Sequence, residues 1–80
     1  MPFDLFSDVI LTADVPHQDL RIGDVGTVVE CHHVPGMPLG YSVEFFDMTG
    51  QTITIATLPA TLLRAPTHAD RPAVRAKVAA

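Results

Sequence analysis

Between Asp8 and Arg64 the apolar residues fall in short alternating or β-branched runs, separated by turns that carry glycine and proline. Runs of this kind predict strands. Asp8-Val9-Ile10-Leu11-Thr12 reads as the first strand, with Phe3, Leu5 and Phe6 expected to fold over one open end of the structure. Asp14 to Leu20 reads as a loop, because Pro16 cannot donate to a ladder and Asp14 can fix a turn through its own side chain. Leu20 and Ile22 are expected to enter the core. Gly26 opens the second strand, where a sharp bend needs a residue without a side chain, and the strand runs on to His33.

Val34 to Gly40 holds two prolines and two glycines and reads as the next loop. Tyr41, Val43 and Phe45 then alternate with Ser42, Glu44 and Phe46, which places the first set on one face of a third strand. Asp47-Met48-Thr49-Gly50 reads as a hairpin turn. Ile53 and Ile55 alternate with threonines in a strand expected to be half-buried. Leu58 to Arg64 fits one 3₁₀ turn followed by a last short strand. The order predicts an all-β fold, a small five-stranded SH3-like barrel over residues 1–64. Residues 65–80, with Pro66 and Pro72, are expected to form a mobile C-terminal tail with a helical turn near Ala73 to Ala79.

Eighty residues suit one domain near the lower size limit for an independent core. A hydrophobic fraction of 48% is high for so short a chain, which makes self-association an expectation. The single cysteine excludes an intramolecular disulfide within one chain and fits a reducing cytoplasm. Met1-Pro2-Phe3-Asp4 lacks the positive charges of a signal peptide, and Val9-Ile10-Leu11 is too short to span a bilayer. A cytoplasmic protein that does not engage membranes is therefore expected.

Charge divides the chain. Residues 1–64 carry eight acids against Arg21 and Arg64, a net of −6, whereas residues 65–80 carry Arg71, Arg75 and Lys77 against Asp70, a net of +2. An acidic body repels phosphate backbones, so nucleic acid is not an expected partner. The basic residues of the tail read in the first instance as ordinary solubility.

Cys31-His32-His33 carries thiolate and imidazole chemistry suited to zinc or copper. In a strand only Cys31 and His33 share a face, and no further ligands stand at a recognisable spacing. The alternative is a small buried hydrophobe at Cys31 and two rim histidines. No cofactor is expected, because Gly23 and Gly26 feed a strand where phosphate-cradling loops feed a helix. Glu30 and Glu44 either pair across strands or sit on a rim. Of Phe45 and Phe46, one points outward, either lining a binding surface or packing under the Phe3–Phe6 segment or the tail.

Asp8 to Thr12, Gly23 to Glu30, Gly40 to Phe46 and Ile53 to Arg64 together resemble the bacterial family known as domain of unknown function 4926, over about residues 5–64. Its motifs are structural, and the resemblance implies an accessory or antitoxin-like role beside another small protein. Gly26-Thr27-Val28 followed by Tyr41 to Phe45 is similar to the barrel of the nitrile hydratase β subunit, which serves chiefly to dock on its partner. Gly40 to Glu44 also looks like the type II plasmid dihydrofolate reductase, whose Val-Gln-Ile-Tyr pore run would fall near Thr52-Ile53-Thr54-Ile55. The glutamine and tyrosine are absent here.

The leading expectation is a non-enzymatic interaction module. It would bind a protein partner or itself through Met37, Tyr41 and Phe46, rimmed by Asp24, Glu30, Glu44 and Asp47. The alternative is a homo-oligomeric small-molecule-binding protein or enzyme with its site at a symmetry axis.

Overall fold

The computed structural model describes residues 2–76. Five antiparallel strands form one sheet: β1 (Asp8–Leu11), β2 (Val25–His32), β3 (Gly40–Phe46), β4 (Thr52–Pro59) and β5 (Leu63–Arg64). Single 3₁₀ turns occur at Pro16–Gln18 and Ala60–Leu62, and the described residues contain no α-helix. The spatial order is β4-β3-β2-β1-β5, so the chain meanders through four strands and the fifth returns to the free edge of β1. The second 3₁₀ turn makes that return, and its entry is fastened where the Ala60 amide donates to the Leu39 carbonyl at 2.9 Å.

Alternation decides which side chains are inside. Tyr41, Val43 and Phe45 of β3 pack with Ala56 and Leu58 of β4 and with Val28 of β2, and Val9, Leu11, Val15, Leu20 and Leu63 complete the core. Tyr41 is wholly buried, its ring meeting Phe3 edge-on at 5.3 Å between centroids. The Phe3 amide donates to the Tyr41 hydroxyl at 3.3 Å, which gives the buried phenol a partner. Phe3 thus covers the core as expected, whereas Leu5 and Phe6 stand exposed.

Gly26 shows why the sheet needs a glycine at that bend. A Cβ there would lie 2.5 Å from Val43 Cγ1 and 3.0 Å from the Glu44 carbonyl oxygen. Two bulges shift the ladder. β2 gains an extra residue at Val29, and β4 gains one at Ile53, where the register passes from Phe45↔Thr54 to Phe46↔Thr52. Beyond the Ile53 bulge β4 alternates regularly, with Ala56 and Leu58 facing the core and Ile55 facing out opposite Glu44, so the strand is half-buried as expected while Ile53 and Ile55 themselves are exposed. Ile22 likewise lies outside the core, because the Arg21–Asp24 turn carries it away while Leu20 remains buried.

Residues beyond β5 fold back on the sheet. Arg64 makes a two-point ion pair with Asp70, through Nη1 at 2.8 Å and Nη2 at 2.7 Å. Asp70 also accepts from the Thr67 amide at 2.7 Å, which closes a turn. Residues 71–76 carry no regular structure, and the rest of the helical turn expected near Ala73 to Ala79 lies outside the described residues. Within the described residues the segment touches the body at two ion pairs, Arg64 of β5 with Asp70 and Arg75 with Asp24 of the turn before β2.

Candidate functional site: an apolar groove with acidic walls

The hairpin between β3 and β4 forms one wall of a groove of about 450 Å³. Its shape rests on Asp47, whose Oδ1 accepts from the Thr49 amide at 2.8 Å, the Thr49 hydroxyl at 2.7 Å and the Gln51 amide at 3.0 Å. Gly50 closes the turn with φ of 87°, a backbone conformation that favours glycine. The Thr49 hydroxyl and the turn amides hold the Asp47 carboxyl below the usual carboxylate range. Asp47 thus lines the groove, but its charge is spent on building the hairpin.

The opposite wall is the segment leading into β2. Asp14 Oδ1 accepts from the Ile22 amide at 2.8 Å, and Asp24 Oδ2 accepts from the Arg21 amide at 2.9 Å. These bonds fix the loop and aim the Asp24 carboxylate. Asp19 adopts a left-handed conformation at the end of the first 3₁₀ turn, with φ of 55°, which aspartate tolerates well. Leu20 and Phe45 form the buried floor, and Val25, Phe46, Met48 and Ile53 supply exposed apolar side chains around it.

The tail supplies part of the groove's lining at Val74 and Arg75. Arg75 presents a fork to Asp24, with Nε 3.1 Å from Oδ1 and Nη2 2.7 Å from Oδ2. Nη2 also donates to the Asp19 carbonyl at 3.3 Å. Partial burial pushes the Asp24 carboxyl up, yet the Arg75 and Arg21 contacts outweigh it and hold Asp24 below its ordinary value. Hydrogen bonding to Asp24 in turn raises Arg75.

Of the residues expected to bind a partner, Asp24, Phe46 and Asp47 come together here. Tyr41 does not, since its side chain is core and its hydroxyl is occupied by Phe3. Met37 is exposed in the loop before β3, at the other end of the strands, and lines no part of the groove. Glu30 pairs across the ladder with Ser42 and Glu44 with Thr27, so the two glutamates are not opposite one another. Glu44 accepts from the Thr52 hydroxyl on the outer face of the sheet. Val25, Met48, Ile53 and the tail residues went unseen in the sequence, although the basic tail against an acidic body was a signal for the last.

The outer face also carries a polar ladder of its own. His32 Nε2 lies 2.7 Å from Ser42 Oγ and 3.1 Å from Glu30 Oε1, and Ser42 Oγ lies 3.2 Å from Thr57 Oγ1. An imidazole that activates a serine takes the serine on one ring nitrogen and the carboxylate on the other. Here both meet the same nitrogen, so the ladder orders side chains without forming a relay. Cys31 is half-buried beside the core and His33 is exposed beyond the end of β2. No group of three or more metal-ligating side chains converges among the described residues.

An all-β domain of five antiparallel strands in one sheet is thus the class of protein defined by the fold. Residues 5–65 match the family described as Domain of unknown function (DUF4926), and the chain belongs to that family. No curated protein and no solved structure matches the chain. No helix among the described residues is long and apolar enough to cross a membrane.

Proposed function

We propose that this chain is a non-enzymatic interaction module, an accessory protein that docks a protein partner in the groove beside Phe46. The observation that carries this reading is the convergence of Val25, Phe46, Met48 and Ile53, all exposed, on one depression with aspartates on its wall. Apolar side chains gathered at one place, with polar groups around them, are the usual composition of a docking surface. Scattered exposed residues would carry no such meaning.

The commitments of the polar groups support a binding role over a chemical one. Asp47 is used by its hairpin, Asp14 by the loop at Ile22, and His32 by two partners on one nitrogen. The free, half-buried Cys31 fits a reducing compartment, which supports a cytoplasmic setting.

The test is capture of a partner from lysate of the source cells by the tagged full chain, in parallel with Phe46→Asp. A protein recovered in stoichiometric amount with the wild type and lost with a folded Phe46→Asp chain supports the reading. Equal recovery with both chains overturns it.

A further inference from the structure

Arg75, on the wall of the groove, shows what chemistry Asp24 and the Asp19 carbonyl accept there. Arg75 is met by a two-point carboxylate and a backbone carbonyl, all three contacts between 2.7 and 3.3 Å. A planar guanidinium matches this fork, whereas a lysine ammonium reaches one acceptor at a time. The receptor is built in advance, because the Arg21 amide fixes the Asp24 carboxylate and the left-handed turn at Asp19 presents its carbonyl. Val74, the preceding residue, lines the same groove as Val25, Phe46 and Ile53. Charge favours the same occupant, since residues 1–64 carry a net of −6.

We infer that the groove recognises an aliphatic residue followed by arginine in an unstructured segment of the partner protein, and that Val74-Arg75 of the chain itself holds this place as a built-in competitor. The inference rests on the docking reading and adds the partner's chemistry and its regulation. Two features make the tail an effective but removable occupant. The Arg64–Asp70 pair and the Thr67 turn fasten its root to β5, which raises its local concentration at the groove. Val74 remains 78% exposed and the Arg75–Asp24 pair is open to solvent in part, so the seated state is shallow. A partner then sees its affinity reduced by the fraction of chains with the tail in place.

Calorimetric titration of the synthetic hexapeptide Arg71–Ala76 into the full chain tests this. Wild type, Arg75→Ala and the double variant Arg75→Ala/Asp24→Asn are compared. Arg75→Ala is expected to bind the peptide about five-fold more tightly than wild type. The double variant is expected to lose that binding, and a peptide with lysine in place of its second arginine to bind more weakly. Equal affinity in wild type and Arg75→Ala overturns the competitor, as does a wild-type dimer that Arg75→Ala dissolves, which would put the tail in a second copy. Failure of Arg75→Ala to bind the peptide, with partner capture still dependent on Phe46, overturns this inference and leaves the docking reading standing. Partner capture indifferent to Phe46 overturns both.

Discussion

Phe45 and Phe46, adjacent in the chain, divide β3 between stability and recognition: Phe45 is 2% exposed in the core and Phe46 is 42% exposed on the groove. The pleat sends neighbouring side chains to opposite faces, yet at the end of β3, opposite the Ile53 bulge, both rings line one depression. Phe45→Ala is expected to cost about 3–5 kcal/mol in a chemical denaturation, the usual penalty for emptying an aromatic core site. Phe46→Asp is expected to cost about 1–2 kcal/mol, clearly less than Phe45→Ala, because the ring is only partly buried. Comparable losses in both variants would mean that Phe46 is part of the core.

Gly26 sets a second expectation. A methyl group there would meet Val43 Cγ1 at 2.5 Å, and Val43 is wholly buried and has no room to retreat. Gly26→Ala is predicted to destabilise by about 1–3 kcal/mol, the range for overpacking a tight core. Gly40→Ala is the control, because its nearest neighbour stands at an ordinary 3.4 Å. Thermal melts of the two variants should separate them clearly, with Gly26→Ala melting several degrees lower.

Tyr41 carries a packing role in place of the binding role expected of it beside Met37 and Phe46. Its hydroxyl receives the Phe3 amide, so Tyr41→Phe removes one hydrogen bond and leaves that amide dependent on water. The expected loss is about 1 kcal/mol, or a melting temperature lower by about 4–8 °C. Partner capture is expected to survive the substitution. Loss of capture with unchanged melting would return Tyr41 to the binding surface.

The tail clamp has a defined response to pH. Asp24 titrates below its ordinary value of 3.8 when folded, so its contribution is fully present above that value and is lost as pH falls through the lower folded one. Asp70, which the Arg64 guanidinium and the Thr67 amide hold far below the same value, behaves alike. Amide relaxation of Arg71 and of residues 73–76 is therefore predicted to stay constant from neutral pH down to about 5 and to show release only in stronger acid. Release at neutral pH in about 1 M salt is expected as well, since exposed ion pairs are screened there. A transition between pH 6 and 7 would point to a histidine and contradict the clamp.

The strands were legible because their signals are local. Tyr41, Val43 and Phe45 alternate with polar neighbours, Gly26 announces a close approach, and Asp47 to Gly50 has the composition of a turn. Ile53 and Ile55 suggested the inner face because isoleucine favours buried strand positions, whereas Ala56 and Leu58, of the opposite parity in the same strand, take the core. The groove was partly legible through Asp24, Phe46 and Asp47. Its other half depends on Arg75 meeting Asp24 across 51 residues, a contact that no local pattern encodes. Opposite charge in body and tail gave the tendency, and only the fold gave the partner.

The most direct test of the groove as the docking surface is amide chemical-shift mapping of the labelled full chain as the captured partner is added. The account predicts that the largest shifts fall on Val25, Phe46, Met48 and Ile53, with those of Arg75 moving as the tail is displaced. Shifts centred on Glu30, His32 and Ser42, or on Met37, with the groove unchanged, would contradict it.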